Sequence, residues 1–315
     1  MVGVGGYQQI NKAFNVCAFD DYLATQAKTL PRLRNVEQIS PRVIRILGQN
    51  PGKFTLQGTN TYIIGTGPSR LLIDTAQGIP EWAELIAGTL EELGITLSHV
   101  LLTHWHGDHT GGVPDLLRLY PYLSDAIYKN SPANDQLPIL DGQIFKVEGA
   151  TIRAFHSPGH SHDHMCFILE EENAMFTGDN ILGHGTSAVE NLGLLMTTWR
   201  SMLTQECKSG YPAHGAVVPN LPLKIKGELA GKTRRERQVL ETLRSLRKGD
   251  GARGKRATIT VKQLVLMMHG EAVNEEVRIM ALEPFMEEVL RKLAEDGQVG
   301  FEMRGGEKKW FGLLN

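Results

Sequence analysis

Three histidines and one aspartate stand within six positions in the segment THWHGDH at 103–109. An apolar run precedes them and predicts a buried strand, along which side chains alternate, so His104 and His106 point to the same side. Asp108 and His109 follow in a loop that can turn back toward the same point. Four polar side chains after a buried strand would be costly without a partner. Neutral imidazoles and a carboxylate that converge indicate a cation, and Zn²⁺ prefers these ligands.

Three later polar residues follow strand-like segments in the same way: His160 in SPGHSHDH, Asp179 in FTGDN and His214 in YPAHG. Each has a neighbouring glycine, which lets the backbone approach a crowded site. Taken singly, each is better explained as a hydrogen-bonded loop residue. Beside the first cluster, metal binding is favoured, and the seven side chains are enough for two cations. The chemistry expected of such a pair is metal-assisted hydrolysis.

Other histidines are open to two interpretations. His164 either orients a ligand from behind or is a hydrogen-bonded loop residue, while for His184 a structural role is favoured over a place in the substrate pocket.

The order of four motifs, THWHGDH, PGH at 158–160, TGD at 177–179 and AHG at 213–215, resembles the metallo-β-lactamase superfamily over residues 40–220. The resemblance implies an α+β fold, a four-layer αβ/βα sandwich. It also implies a distribution of ligands. One metal would be held by His104, His106 and His160, the other by Asp108, His109 and His214, with Asp179 as the bridge.

An aspartate in the bridging place is similar to the thioester-hydrolysing and nuclease branches. The true β-lactamases have a cysteine there, so β-lactam hydrolysis is disfavoured.

Two longer segments, NPGKFTLQGTNTYIIG (50–65) and PGHSHDHMCF (158–167), resemble the branch of β-lactamase-like protein 2 and the fungal atrochrysone carboxyl ACP thioesterases. Residues 1–35 resemble the N-terminal extension of the fungal enzymes. This resemblance implies hydrolysis of a polyketide acyl thioester on the acyl carrier protein of a partner polyketide synthase, in aromatic secondary metabolism. Two alternatives stay open: a single-strand endoribonuclease and a glyoxalase-II-like hydrolase of glutathione thioesters.

The expected cofactor is a pair of Zn²⁺ ions, with Mn²⁺ as an alternative because two of the ligands are carboxylates. Asp108 is the candidate catalytic residue, since a carboxylate between imidazoles can orient the attacking water or move its proton.

Hydrophobic periodicity predicts the elements that position these residues. Before residue 220, the predicted strands and helices include RVIRIL (42–47), TNTYIIG (59–65), RLLIDTA (70–76), helix 80–94, SHVLLTH (98–104), helix 110–121 and a hairpin that turns at EEEN (170–173). After residue 220 we expect a helix at 234–249, a capping box at Thr260 and Gln263, a helix that begins near Pro284, and a final β-hairpin. The predicted domains are an extension at 1–35, a catalytic domain at 36–222 and a winged-helix-like domain at 223–315.

Charge is unevenly distributed along the 315 residues. Residues 224–262 hold 13 Lys and Arg against four Asp and Glu, a local charge of +9, which leaves −11 for the rest of the chain and a total of −2. This basic stretch is either a solvated helix face, a surface that docks an acidic acyl carrier protein, or a contact for RNA backbone. The absence of interleaved aromatic residues weakens the case for single-stranded RNA.

Composition sets the remaining expectations. Cys17, Cys166 and Cys207 are an odd number spread along the chain, which favours a reducing compartment. The N-terminus lacks the basic start and long apolar stretch that are typical of a secretory signal. The sequence also lacks an apolar run long enough to predict a membrane span. We therefore expect a cytoplasmic protein with no membrane partner.

Overall fold

Short runs rich in β-branched residues form two sheets in the computed structural model, which describes residues 30–133, 135–249 and 257–313. The first sheet has its strands in chain order: β1 (Val36–Ser40), β2 (Val43–Leu47), β3 (Asn60–Ile64), β4 (Ser69–Ile73), β5 (Thr96–Leu101), β6 (Ile127–Lys129) and β7 (Leu137–Pro138). Neighbours are antiparallel from β1 to β4 and parallel from β4 to β7.

The second sheet has the order β12-β11-β10-β9-β8. Its strands are β8 (Ile144–Val147), β9 (Ala150–His156), β10 (Met165–Leu169), β11 (Ala174–Gly178) and β12 (Ser209–Pro212). Strands β8 to β11 are antiparallel neighbours, whereas β12 runs parallel to β11. The predicted hairpin with its turn at residues 170–173 is thereby confirmed as β10 and β11.

Helices occupy the connections. They are α1 (Pro80–Leu93), α2 (Gly107–Thr110), α3 (Val113–Leu119), α4 (Leu192–Leu203), α5 (Leu221–Gly249), α6 (Val261–His269), α7 (Glu275–Val277) and α8 (Glu283–Glu295). Single 3₁₀ turns lie at Pro121–Leu123 and Glu170–Glu172, and a π-helical segment lies at Arg278–Leu282. No helix in the described ranges is both long and apolar enough to cross a bilayer.

Alternation along β3 creates the layers. Tyr62 and Ile64 join the apolar cluster between the two sheets, while Ile63 faces the other way into a cluster with Trp82 of α1. In the second sheet, Phe167 of β10 faces the space between the sheets. The residues that alternate with it, Cys166 and Ile168, are buried on the opposite face. Both faces of each sheet are therefore covered.

The predicted helix at 110–121 is wrong as a single element, because it breaks at Gly111 and Gly112. A β-carbon at Gly111 would lie 2.5 Å from the carbonyl oxygen of Gln77, and one at Gly112 would lie 2.0 Å from that of Thr75. The backbone must therefore pass this point without side chains, and α2 ends before α3 begins. The result is that Asp108 and His109 sit on their own short turn of helix.

Within the described residues the chain divides into two compact units. One comprises 30–188 and 194–226, and the other comprises 189–193 and 227–313. The predicted domain boundaries at 35/36 and 222/223 stay predictions, and most of the predicted extension at 1–35, with Cys17, lies outside the described residues.

The second unit contains the elements expected near the end of the chain. Thr260 accepts a hydrogen bond from the Gln263 amide and completes the predicted capping box, and Pro284 lies in the first turn of α8. Strands β13 (Val299–Arg304) and β14 (Glu307–Gly312) form the predicted hairpin. The helix predicted at 234–249 begins earlier, at Leu221, because its apolar face continues toward the N-terminus through Ile225.

Candidate metal centre

All seven predicted ligands lie just beyond the carboxyl ends of strands. His104 follows β5 of the first sheet, whereas the second sheet contributes His160 after β9, Asp179 after β11 and His214 after β12. Strands β9 and β11 are both antiparallel to β10, and β12 is parallel to β11, so these three strands end at the same edge. The topology therefore gathers residues that are far apart in the sequence.

The structure places the seven predicted ligands in two groups. One consists of His104, His106, His160 and Asp179; in each group the candidate ligand atoms lie within 4.8 Å of one another. In this first group, His104 Nε2 lies 2.8 Å from His106 Nδ1 and 3.2 Å from His160 Nε2, and His160 Nε2 lies 3.4 Å from Asp179 Oδ2.

The second group consists of Asp108, His109 and His214, all buried. His214 Nε2 lies 3.2 Å from Asp108 Oδ2 and 3.2 Å from Asp179 Oδ1, and His109 Nε2 lies 3.6 Å from the same Asp179 oxygen. The two oxygens of Asp179 thus face different groups. This is the arrangement that a bridging carboxylate requires.

Hydrogen bonds behind the histidines determine which ring nitrogens carry lone pairs. The Nδ1 atom of His160 lies 2.8 Å from the carbonyl oxygen of Ala188, which can only accept, so Nδ1 donates and Nε2 holds the lone pair. The Nδ1 atom of His109 lies 2.8 Å from Asp74 Oδ2 and donates to that carboxylate. Its Nε2 atom therefore holds a lone pair as well.

Asp74 fixes the ring of His104 through an intermediary. The Thr103 hydroxyl lies 2.9 Å from Asp74 Oδ2 and donates to that carboxylate, so its oxygen accepts from His104 Nδ1 at 3.0 Å. The backbone amide of Thr103 also donates to Asp74 Oδ1 at 2.8 Å. One buried carboxylate thus orients two of the seven ligands, which is the usual supporting arrangement around metal-binding histidines.

The donor set fits divalent cations. Lone pairs on His104 Nε2 and His160 Nε2 face each other at 3.2 Å, which only a cation between them would stabilise. Within the described chain, the buried atoms Asp108 Oδ2, His109 Nε2 and Asp179 Oδ1 accept or donate no hydrogen bond. Buried polar atoms are rarely left in this state without a ligand. Imidazole nitrogens with carboxylate oxygens suit Zn²⁺ and similar ions.

Electrostatics keep the first group in its metal-binding form. Burial and the neighbouring imidazoles hold the pKa of His104 well below its usual value of 6.5 and lower the pKa of His106 to about 3. Both rings are therefore neutral at physiological pH, as a nitrogen ligand must be.

In the second group, charge outweighs burial. Burial lowers the pKa of His214, but the carboxylates of Asp179 and Asp108 raise it to about 9. Burial raises the pKa of Asp179, but His214 and His109 hold it well below its usual range. A cation that enters this group must therefore displace a proton from His214.

His164 lies behind the centre and is fully buried. Its Nε2 atom accepts a hydrogen bond from the backbone amide of Asp179 at 3.0 Å, and Nδ1 lies 2.9 Å from Ser157 Oγ. Burial holds its pKa well below the usual range, so the ring stays neutral and can accept. Of the two interpretations that the sequence left open, the orienting one matches this geometry.

A buried ion pair anchors the loop that carries His160. Lys129 Nζ of β6 lies 2.6 Å from Asp163 Oδ2, with the two side chains 5% and 0% exposed. Ser161 Oγ donates to the other oxygen of Asp163 at 2.9 Å. The loop after β9 is thus fastened to the first sheet, three residues from His160.

Sequence reasoning missed Asp74, Lys129 and Asp163. The signal that the sequence offers for Asp74 is a charged residue directly after the apolar run RLLI. His184 is half-buried on the segment beside His214, whose carbonyl accepts from the Gly183 amide at 2.8 Å. No contact of the His184 ring with the seven ligands supports a role for it in the centre.

Comparison with known proteins agrees with this geometry. The family model described as the metallo-beta-lactamase superfamily matches residues 54–252. An atrochrysone carboxyl ACP thioesterase from Aspergillus aculeatus is 69% identical over 312 residues, which cover 99% of this chain and 100% of the relative. Another, from Emericella nidulans, is 67% identical and covers 98% of this chain and 96% of its own.

Among solved structures, a beta-lactamase domain protein from Burkholderia ambifaria has a TM-score of 0.71 at 16% identity, covering 91% of this chain and 96% of that one. This similarity concerns the fold alone, and it confirms the predicted α+β sandwich. The winged-helix assignment of the C-terminal residues stays a prediction. Because the family model matches more than half of the sequence, the chain belongs to the metallo-β-lactamase superfamily.

Proposed function

We propose that this protein is a metal-dependent hydrolase that cleaves the acyl thioester of a polyketide held on the acyl carrier protein of a partner polyketide synthase. The observation that carries the proposal is similarity over the whole chain: two proteins named atrochrysone carboxyl ACP thioesterases are 69% and 67% identical across at least 98% of it. The two ligand groups that share Asp179 supply a site suited to hydrolysis. The small-molecule product would be an atrochrysone-type carboxylic acid.

The proposed ligands are those of the two groups. His104 Nε2, His106 Nδ1 and His160 Nε2 would hold one cation, and Asp179 would contribute one oxygen to it. The other cation would be held by Asp108, His109 and His214, together with the second oxygen of Asp179. Zn²⁺ is the favoured ion, since five of the seven ligands are imidazoles, and Mn²⁺ is the alternative.

When bound, such a pair lowers the pKa of water and stabilises negative charge on a carbonyl oxygen. The side chains of this protein orient the reactants. Burial raises the pKa of Asp108, but His109 and His214 hold it well below its usual range, so the carboxylate is ionised and can accept a hydrogen bond from the attacking water. The role of Asp108 is therefore to orient the water rather than to store its proton.

The leaving group needs little assistance. A thiol has a pKa of about 8.5, far below that of an alcohol, so a thiolate departs without a strong general acid. The centre accordingly requires a nucleophile and an oriented carbonyl, and it requires that the thiol leaves after cleavage. It needs no dedicated proton donor.

The test is hydrolysis of an acyl thioester carried by a polyketide synthase carrier domain, before and after treatment with a strong chelator. We expect chelation to abolish turnover and Zn²⁺ or Mn²⁺ to restore it. Asp108→Asn should lower kcat about 100-fold, the scale of loss expected when a reactant is misplaced by about 1 Å. Asp115→Asn is the matched control, because Asp115 pairs with Arg118 at the surface. Full turnover in chelator would refute the proposal.

Two other substrates distinguish the alternatives. Cleavage of a single-stranded RNA oligonucleotide that disappears in His104→Ala would favour an endoribonuclease. Turnover of a glutathione thioester at low concentration, with the carrier-bound thioester untouched, would favour a glyoxalase-II-like hydrolase.

A further inference from the structure

One face of helix α5 presents a row of cationic side chains. Arg234, Arg237 and Arg244 are all exposed, at spacings of three and seven residues that place them on one side of the helix. At the helical rise of 1.5 Å per residue the row is about 15 Å long. We refer to these three residues as the basic row.

The opposite face of the same helix is occupied. Val239 and Leu243 are buried, and Lys232 is buried with its ammonium 4.6 Å from the centre of the Phe285 ring. Other cations nearby also have partners: Arg235 donates to His269, and Lys292 pairs with Glu236. Among the described residues, the basic row differs from these cations in its exposure and in having no hydrogen-bond or ion-pair partner.

Within the described ranges, no member of the basic row forms an ion pair. Three cations along one helix face repel one another, and this repulsion is relieved by a surface of opposite charge. An exposed arginine offers a planar fork that binds a carboxylate or a phosphate through two hydrogen bonds.

We propose that the basic row docks the acidic surface of the acyl carrier protein, an inference that rests on the proposed function. The carrier delivers its acyl group on a phosphodiester-linked arm, so the point of attachment itself carries a negative charge. All three cations are arginines, which suit carboxylates in fixed geometry. Complementary charge also increases the rate of encounter between an enzyme and a carrier that must visit it repeatedly.

Features of the same face argue against single-stranded nucleic acid. The exposed positions between and beside the cations are Thr233, Gln238, Glu241 and Ser245, with no aromatic ring on which a base could stack. Glu241 lies in the middle of the row, where it would repel a continuous phosphate backbone. A mixed acidic protein surface tolerates one interspersed carboxylate.

The experiment compares three proteins: the wild type, the triple variant R234E/R237E/R244E, and the control K146E/R200E/K208E. The control makes the same change in net charge at three exposed cations of the other unit. Binding of a phosphopantetheinylated polyketide synthase carrier domain is measured by calorimetry at low and at moderate salt.

We expect the triple variant to bind the carrier domain at least about tenfold more weakly than the control, with a smaller dependence on salt. Hydrolysis of the acyl group attached to N-acetylcysteamine, which has no carrier surface, should be unchanged in both variants. Equal binding of the carrier domain by the triple variant and the control would overturn the proposal. The proposal would also be overturned if the triple variant lost affinity for a single-stranded RNA oligonucleotide but kept its affinity for the carrier domain.

The outcomes separate this inference from the proposed function. If the wild type binds the carrier through the basic row but hydrolyses no thioester, the function is wrong and the docking surface stands. If the small thioester is hydrolysed and both variants bind the carrier alike, the function stands and the docking surface is wrong.

Discussion

Replacing Lys129 by methionine removes the ammonium from a buried ion pair while keeping most of the side-chain volume. In the native protein, Lys129 Nζ lies 2.6 Å from Asp163 Oδ2, and neither group is more than 5% exposed. After the change, Asp163 retains the hydrogen bond from Ser161 Oγ and loses its only close cation within the described residues. Water cannot easily take the place of the ammonium, because both positions are buried.

The magnitude follows from this geometry. Breaking a buried pair by removing one partner costs about 3–5 kcal/mol, since a charge is left in a medium of low polarity. Methionine fills the space of the lysine stem, so little cavity penalty is added. We therefore expect the free energy of unfolding to fall by about 3–5 kcal/mol, a large fraction of the stability of an ordinary domain.

Urea unfolding followed by circular dichroism, in chelator so that metal binding does not contribute, measures this loss. Lys146→Met, at an exposed lysine of β8, is the control and should change the stability by less than about 0.5 kcal/mol. In the double variant K129M/D163N, about 0.5–3 kcal/mol of the loss should be recovered as coupling energy. A loss in K129M no larger than that in K146M would refute the view that this pair fastens the loop of His160.

Two further predictions concern the centre itself. Asp74→Asn removes the carboxylate that accepts from His109 Nδ1, and we expect metal affinity to fall by about 10–100-fold, measured by competition with a chromophoric chelator; unchanged affinity would contradict the orienting role. In chelator, the stability should be greatest near pH 6.5 and decrease on both sides. Below pH 6.5, His106 binds a proton in the unfolded chain, whereas in the folded protein its pKa is about 3. The free energy of unfolding therefore falls as the pH drops. Above 6.5, folded His214 keeps its proton up to about pH 9, so its contribution is lost as the pH rises through that range. Urea midpoints across this pH range test both signs, and a midpoint that rises steadily from pH 6.5 to 9 would contradict the second.

Much of the centre could be predicted because several of its residues lie close together in the sequence. The spacing of His104, His106, Asp108 and His109 places four metal-binding side chains within one strand end and one turn. This pattern can be recognised without knowing which distant segments pair. The capping box at Thr260 and Gln263 was predictable for the same reason, since its two partners lie three residues apart.

Residues whose roles depend on pairing between distant segments could not be predicted. Asp74 reads as an ordinary residue after a strand until β4 pairs in parallel with β5 and brings it to Thr103. Lys129 and Asp163 are 34 residues apart, and Lys129 lies in β6 of the first sheet whereas Asp163 lies in the loop between β9 and β10 of the second. The break at Gly111 and Gly112 depends on the backbone of residues 75–77, which the helical pattern does not contain.

The dependence of Asp179 on both ligand groups has a consequence for how the protein matures. A chain that has left the ribosome only as far as residue 180 already contains the four members of the first group, but it lacks the histidine that faces the second oxygen of Asp179. Strand β12 must emerge and align beside β11 before His214 arrives. The second ligand group is therefore completed only after β12 has joined the second sheet, so a shorter chain has Asp108 and His109 but lacks the third member of that group.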